Sequence, residues 1–230
     1  TAVDGQPLAT PLPLNGPLEL APAQRADLVI DIPLTAGAHF DIQEVSAGEP
    51  IRAALIAVEG EPIREMVLGE PLVLPANPLS GVKPDLSNAR NMDLLMEGGA
   101  MGAMRGASHQ GKMFDMRSLV TETGKVWAFN GIAGMGKEPF AEIPRGQTLS
   151  INIINDTRWP HAMHMHGHHF KVVERNGQPV SDAPWRDTEL VEVNEKVRIA
   201  FVADNPGKWL LHCHMLEHHM AGMGTWISVV

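Results

Sequence analysis

The sequence predicts an all-β protein, a Greek-key β-sandwich with one complete domain and part of another. Short segments of alternating or continuous apolar residues recur along the chain, separated by turns rich in glycine, proline and asparagine. Several of them lie close together in the carboxy-terminal half, over about 110 residues, which suffices for one sandwich. With 230 residues, 44% of them hydrophobic, the chain can bury a substantial core.

Three regions differ in composition. Residues 1–60 contain too few strand-like segments for a whole sandwich and are interpreted as part of a domain. Residues 61–117 are rich in proline, then in glycine and methionine, and are interpreted as a linker. Residues 118–230 return to strand patterns and are predicted to form the complete domain. The principal predicted strands are 28–34, 38–45, 51–60 and 148–154, followed by "HFKVVERNG" with its Asn-Gly turn, "LVEVNEKVRIAFVA" and "GTWISVV".

Charge and composition exclude several classes of function. The formal net charge is −9 and lysine and arginine do not cluster, which argues against a nucleic-acid partner. No apolar stretch reaches the roughly 20 residues of a membrane span, and the first residues lack the pattern of a signal peptide, so no membrane insertion is expected. A single cysteine allows no internal disulfide. The segment "GGAMGAMRG" lacks the flanking residues of a phosphate-binding loop.

Two segments carry the chemistry of this chain. "HAMHMHGHHF" (161–170) and "HCHMLEHHMAGM" (212–223) contain nine of the eleven histidines and the one cysteine. A thiolate, two imidazoles and a distant thioether are the ligands of an electron-transfer copper. Cys213, His218 and Met223 follow one another at intervals of five residues and supply three of these ligands. The fourth is expected from His161.

Strand geometry predicts a second group of ligands close by. Alternate residues of a strand share a face, so His212 and His214 point away from the side chain of Cys213. His164 and His166 show the same alternation. These four histidines are predicted to form a second imidazole-rich surface next to the cysteine.

Both motifs resemble, in order and spacing, the two carboxy-terminal copper motifs of the multicopper oxidases, of the bacterial laccase-like or cuprous oxidase type. The resemblance implies that residues 118–230 are the last cupredoxin domain of that family and residues 1–60 the second half of its middle domain. It also implies a type 1 copper ligated by His161, Cys213, His218 and Met223, and an electron path from Cys213 to His212 and His214. The remaining implied ligands are His164 for the type 2 copper, and His166, His212 and His214 for the type 3 pair.

The resemblance further implies an activity. A member of this family removes single electrons from a phenolic compound or Cu(I) and uses four of them to reduce O2 to water, with up to four coppers per complete enzyme. The trinuclear cluster needs further histidines, which an amino-terminal cupredoxin domain or a second chain would supply. Periplasmic or other export is implied by the family alone. The alternatives are a non-catalytic blue-copper electron-transfer or copper-holding module and, less well matched, a copper nitrite reductase.

Other candidate residues have more ordinary interpretations. Met101 and Met104 form a Met-x-x-Met pair that could handle Cu(I), although methionines in such a segment commonly fill packing gaps. His168, His169 and His219 are interpreted as packing or surface residues, and His219 stands where many bacterial relatives carry a proton-relaying glutamate. Asp187 is expected to hold a loop.

Overall fold

Two facing sheets form the body of the protein. The computed structural model describes residues 1–32, 35–46, 48–61, 63, 66, 69 and 74–230. Its strands are β1 (Ala2–Val3), β2 (Gln6–Pro7), β3 (Ala26–Asp27), β4 (His39–Glu44), β5 (Ile51–Ala57), β6 (Arg90–Gly98), β7 (Gly106–His109), β8 (Lys112–Asp115), β9 (Trp127–Phe129), β10 (Ala141–Ile143), β11 (Thr148–Asn155), β12 (His161–Met165), β13 (Lys171–Arg175), β14 (Gln178–Pro179), β15 (Thr188–Val191), β16 (Lys196–Val202), β17 (Gly207–Cys213) and β18 (Gly224–Val229). Two helices, α1 (Met116–Thr123) and α2 (Leu216–Met220), and a 3-10 turn at Pro78–Gly81 complete the described elements.

The two sheets of the sandwich draw on strands from distant parts of the chain. The six-stranded sheet has the order β14-β13-β16-β11-β6-β9 and the five-stranded sheet the order β10-β18-β17-β12-β15. Most neighbours are antiparallel, but β6 runs parallel to β11 and β10 runs parallel to β18. The predicted all-β sandwich is confirmed.

The core lies between these sheets because every second side chain of their strands points inward, and the inward side chains are mostly apolar. One continuous cluster contains Leu149, Ile151 and Ile153 of β11, each with no exposed area, opposite Met163 and Leu211 of the other sheet. Cys213 belongs to the same cluster and is fully buried. The thiol therefore sits in a dry, apolar layer rather than at the surface.

The amino-terminal region forms smaller sheets. β1, β2 and β3 make a three-stranded sheet, and β4 pairs with β5. The predicted strands at 38–45 and 51–60 correspond to β4 and β5. The strand predicted at 28–34 is not formed over 28–32, where the apolar side chains are about half exposed, and its last two residues lie outside the described residues.

The linker interpretation of 61–117 needs correction over its second part. β6 forms seven residue pairs with β11, from Leu149 opposite Arg90 to Asn155 opposite Met96, and buries Leu94 and Met96 in the core. β7 and β8 form a hairpin in the same region. Polar and apolar residues alternate in β6 in only a short stretch, so its place in the sheet depends on a partner that lies about fifty residues further on in sequence.

A helix follows this hairpin, over residues for which the sequence predicted strands. α1 begins after Asp115, whose side chain accepts a hydrogen bond from the amide of Ser118, and ends at Gly124 in a left-handed conformation with φ of 69°. Leu119 is its buried residue. Among the described residues, no helix is long and apolar enough to cross a membrane.

Candidate metal centres

Two adjacent strands bring the histidine motifs together. β12 and β17 are antiparallel neighbours, with Met163 opposite Cys213 and His164 opposite His212. His161 and Cys213 are fully buried, and His212 is 5% exposed. The alternation predicted from the sequence therefore separates the thiol from the two flanking imidazoles.

The first group, which we call the thiol cluster, consists of His161, Cys213 and His218. Its three ligand atoms lie within 4.8 Å of one another. Sγ of Cys213 is 3.8 Å from Nδ1 of His161 and 3.8 Å from Nδ1 of His218, and the two Nδ1 atoms are 3.1 Å apart. His218 lies in α2 and is partly exposed, so it is the member of the thiol cluster that solvent reaches.

The orientation of His161 is set by Thr157. Nε2 of His161 lies 2.8 Å from Oγ1 of Thr157, and that hydroxyl donates to Oδ1 of Asn155 at 2.7 Å. Because the hydroxyl donates its hydrogen bond to Asn155, its oxygen accepts a hydrogen bond from the protonated Nε2 of His161. Nδ1 is then unprotonated and presents its lone pair to the thiol.

An indole and a tight backbone loop enclose the thiol cluster. The ring centroid of Trp127 lies 5.1 Å from that of His161 and 4.8 Å from that of His218. Met223 is fully buried; its carbonyl accepts from the amide of Cys213, and its own amide donates to the carbonyl of His218. Gly222, with φ of 127°, approaches Trp127 so closely that a Cβ would lie 2.1 Å from its carbonyl oxygen.

Burial keeps this cluster uncharged in the absence of metal. Burial, with a smaller repulsion from His218, lowers the pKa of His161 to about 3. Burial raises the pKa of the Cys213 thiol to about 11, against backbone hydrogen bonds that favour the thiolate. A cation bound here would have to displace the thiol proton and would compensate the charge that burial disfavours.

The second group, which we call the imidazole cluster, consists of His164, His166 and His212. Its ligand atoms also lie within 4.8 Å of one another, and Nε2 of His166 is 3.2 Å from Nε2 of His212. The ring of His214 is 5.4 Å from the rings of both His164 and His212. The four histidines predicted to form an imidazole-rich surface thus lie together.

The far nitrogens of this cluster are anchored by oxygens. Nδ1 of His212 donates to the carbonyl of Cys213 at 2.9 Å, and Nδ1 of His164 lies 2.9 Å from Oγ1 of Thr188. Their Nε2 atoms are left for a ligand. Burial is the largest cause that lowers the pKa of His212, to about 4, and it also lowers the pKa of His166.

The two methionines of the predicted pair differ in burial. The side chain of Met101 is 81% exposed, whereas Met104 packs against the small core of Ala107, Leu119, Ala128 and Ala133. Of the other methionines in that segment, Met96 is fully buried in β6. The histidines expected to be packing or surface residues differ: His168 is buried against Phe201, whereas the ring of His219 contacts that of His212, with centroids 4.6 Å apart and the planes tilted by 59°.

Three residues of the surroundings were not singled out from the sequence as parts of the site. Thr157 and Trp127 contact the thiol cluster, and Asp187, expected to hold a loop, lies 3.4 Å from Nδ1 of His164 through Oδ1. Thr157 stands four residues before His161, a local signal that could have indicated a contact. Asp187 reaches His164 only through the pairing of β15 with β12, which the sequence does not display.

Comparison with known proteins identifies the family. A family model described as multicopper oxidase matches residues 109–230, more than half of the chain. The chain belongs to the multicopper oxidase family. Relatives of this family are named as multicopper oxidases, laccases and iron oxidases, which are copper-dependent oxidoreductases, and the predicted resemblance is confirmed.

Alignments with individual multicopper oxidases show that the chain covers only part of the length of each relative. It is 35% identical over 104 residues to the multicopper oxidase MmcO of Mycobacterium tuberculosis, a match that covers 45% of this chain and 20% of the relative. The crystal structure of a multicopper oxidase from Pseudomonas thermotolerans matches all of this chain with a TM-score of 0.72 and 26% identity. That of Lac15 from a marine microbial metagenome matches 99% of it with a TM-score of 0.69 and 32% identity. The chain spans 48% of each of these two solved chains.

The donor atoms of this multicopper oxidase chain fit copper. The thiol cluster combines one soft sulfur with two imidazoles whose pKa values are lowered by burial, which suits both Cu(I) and Cu(II). The imidazole cluster offers nitrogen donors whose other ring nitrogens are hydrogen-bonded, as metal-ligating histidines commonly are.

Proposed function

We propose that this chain provides the type 1 copper site and the carboxy-terminal half of the trinuclear cluster of a multicopper oxidase. His161, Cys213, His218 and Met223 would hold the type 1 copper, and His164 the type 2 copper. His166, His212 and His214 would hold the type 3 pair. The observation that carries the proposal is the covalent adjacency of the two clusters: Cys213 of the thiol cluster is bonded to His212 of the imidazole cluster and to His214 beside it.

Copper in such a pair of sites supplies one-electron oxidation of a substrate and four-electron reduction of O2 to water. The protein would contribute a short covalent route for electrons from the thiol cluster to the imidazole cluster, through Cys213 to His212 and His214. Cys213 is fully buried, whereas His218 is partly exposed. Two apolar residues of the same helix, Leu216 and Met220, are 57% and 69% exposed and form an apolar rim. Electrons would therefore enter at His218 from a phenolic compound or Cu(I) that rests on this apolar rim.

Exposed apolar side chains in the amino-terminal region support the proposal that a further domain or chain completes the enzyme. The described segment 11–32 exposes apolar side chains to between 44% and 71% of their area; these are Leu12, Leu14, Leu18, Leu20, Leu28, Val29, Ile30 and Ile32. Apolar side chains exposed over so many neighbouring positions indicate a surface that another part of the assembly covers. The remaining cupredoxin domains of the same protein, or a second chain, would cover it and add the missing histidines. Such a protein would work in the periplasm or outside the cell.

Copper content and spectra test the proposal. The purified chain is loaded with copper, and copper per chain is measured together with the visible and EPR spectra. One copper with an intense thiolate absorption supports a type 1 site in this chain, and about four coppers after addition of the amino-terminal domains support the trinuclear cluster. A chain that takes up one copper, and that never consumes O2 even with those domains present, would instead be a non-catalytic electron-transfer or copper-holding module.

A further inference from the structure

A chain of hydrogen bonds connects the amino-terminal sheet to the imidazole cluster. Arg25, the residue before β3, places its guanidinium on the carboxylate of Asp187, with Nη1 3.0 Å from Oδ1 and Nη2 2.7 Å from Oδ2. Asp187 and Thr188 in turn surround Nδ1 of His164. The contacting residues are more than 160 positions apart in sequence, so this is a tertiary contact between two regions of the fold.

The fork between Arg25 and Asp187 is itself fixed by a buried carboxylate. The side chain of Asp4 has no exposed area, and its Oδ1 accepts from the amide of Arg25 at 2.9 Å. Its Oδ2 accepts from the amides of Asp187 and Thr188 at 3.1 and 3.3 Å. Asp4 thereby ties the backbone on both sides of the fork, which holds the start of β15 against the amino-terminal sheet. A bidentate pair of this kind is directional as well as strong.

The consequence for His164 follows from the roles of its neighbours. Oγ1 of Thr188 donates its proton to Oδ1 of Asp187 at 2.8 Å, so towards His164 this hydroxyl can only accept. The carbonyl oxygen of Asp187, 3.1 Å from Nδ1, and its carboxylate oxygen, 3.4 Å away, are also acceptors. Nδ1 of His164 therefore faces three acceptors and no donor, and it must carry the ring proton.

We propose that Arg25 is a positioning residue for the type 2 site: through Asp187 and Thr188 it holds His164 in the Nδ1-protonated tautomer, with the lone pair of Nε2 directed into the imidazole cluster. This inference rests on the proposed function, because the lone pair of Nε2 of His164 would bind the type 2 copper. The tautomer itself is a property of the chain without metal. A carboxylate that sets the ring proton of a ligating histidine is a recognised way to orient such a ligand.

Removal of the fork should release this constraint. Without Arg25, the carboxylate of Asp187 can turn away, and the hydroxyl of Thr188 is then free to donate to Nδ1 of His164. The other tautomer, with the proton on Nε2, becomes accessible. Loss of a charge-assisted contact changes such a ratio by about tenfold.

The test is the tautomer of His164 in the metal-free chain. Two-bond proton–nitrogen correlation spectra of the histidine-labelled protein are recorded at a pH where the ring is neutral, and the signals of His164 are assigned by their loss in His164→Gln. We expect a protonated Nδ1 in the wild type, and in Arg25→Ala a fall of about tenfold in the ratio of the two tautomers. Arg52→Ala, which removes the exposed pair of Arg52 with Asp41 in the β4–β5 hairpin, is the matched control and should leave the ratio unchanged.

Several outcomes would overturn the inference. A proton on Nε2 of His164 in the wild type contradicts it, and so does an Arg25→Ala variant that keeps the wild-type ratio. If Arg25→Ala does not fold, Arg25→Gln, which keeps much of the side chain but removes the charge and the bidentate contact with Asp187, gives the same test. A chain that takes up no copper but shows the expected tautomers refutes the proposed function and leaves the positioning intact. A chain that loads copper normally but keeps its tautomer in both variants refutes the positioning alone.

Discussion

Nδ1 of His161 lies 3.1 Å from Nδ1 of His218, although the two residues are 57 positions apart and belong to different elements. Both atoms point at Sγ of Cys213 from 3.8 Å. Two imidazole nitrogens and a thiol so disposed, inside an apolar core, leave room for a metal ion of copper size after small side-chain movements. The thiol is the donor on which a strong visible absorption depends.

Substitution of the thiol gives the sharpest spectroscopic prediction. In Cys213→Ser, the hydroxyl has nearly the size of the thiol but lacks the soft donor, so the intense thiolate absorption of the copper-loaded chain should disappear while its far-UV circular dichroism is unchanged. Met223→Leu should keep that absorption and raise the reduction potential, because it removes a weak donor that favours Cu(II). A Cys213→Ser variant that stays intensely coloured would contradict the assignment.

Acid should unfold the metal-free chain in a defined window. The pKa of His161 is lowered from 6.5 to about 3 by burial, so between these two values the unfolded chain binds a proton that the folded chain does not. The contribution to stability is fully present above 6.5 and is lost as the pH falls towards 3, by on the order of a few kcal/mol. Urea unfolding followed across this range should show the decline. His161→Gln should make the decline shallower, with the remaining slope due to other buried histidines such as His212, whereas the exposed His39→Gln should leave it unchanged. Equal slopes in all three proteins would show that His161 does not contribute.

The hydroxyl of Thr157 should matter through the buried proton on His161. Thr157→Val removes the acceptor of Nε2–H of His161 together with the hydroxyl's bonds to Asn155 and Trp159, which should lower the free energy of unfolding by about 1–3 kcal/mol. Thr121→Val, which removes an exposed hydroxyl bond to the carbonyl of Arg117 in α1, is the control and should change stability by less than about 0.5 kcal/mol. Similar losses in the two variants would mean that the His161 contact is not special.

The two methionines predicted to handle Cu(I) can be separated by their packing. Met104→Ala should lower the free energy of unfolding by about 1–3 kcal/mol because it opens a gap in the small core near α1. Met101→Ala should have almost no effect on stability, because that side chain is largely exposed. If the pair instead forms one Cu(I) site, both substitutions should weaken Cu(I) binding to the same extent in a competition assay. Unequal or absent changes would leave packing as the role of Met104.

Strand patterns and the spacing of residues within one motif were enough to predict part of the fold and part of the candidate site. The strand patterns of β11, β16 and β18 predicted a sandwich, and the spacing of Cys213 and His218 predicted that their side chains lie together, as they do in the thiol cluster. Long-range pairing was not accessible in this way. β6 joins the core by pairing with β11 and β9, which lie further along the chain. The apolar segment 28–32 forms no strand, because an apolar run does not by itself supply a neighbouring strand.

The site shows the same division. Asp187 was expected to hold a loop; in the structure its carboxylate contacts His164 and Arg25, and Arg25 lies 162 positions earlier in the sequence. A single strand cannot reveal which residue will face it across a sheet. The first residues of the chain therefore gave no sign of their contact with the histidine motifs.

The pairing of β12 with β17, with Met163 opposite Cys213, carries a consequence for how this segment can change in evolution. A shift of one residue along either strand would turn every side chain to the opposite face, and the thiol would exchange places with an imidazole. Insertions and deletions within these strands are thus confined to even numbers or excluded altogether. Length variation among homologous chains should accumulate instead in the connections between Gly167 and Gly207, outside the strands that carry the two clusters.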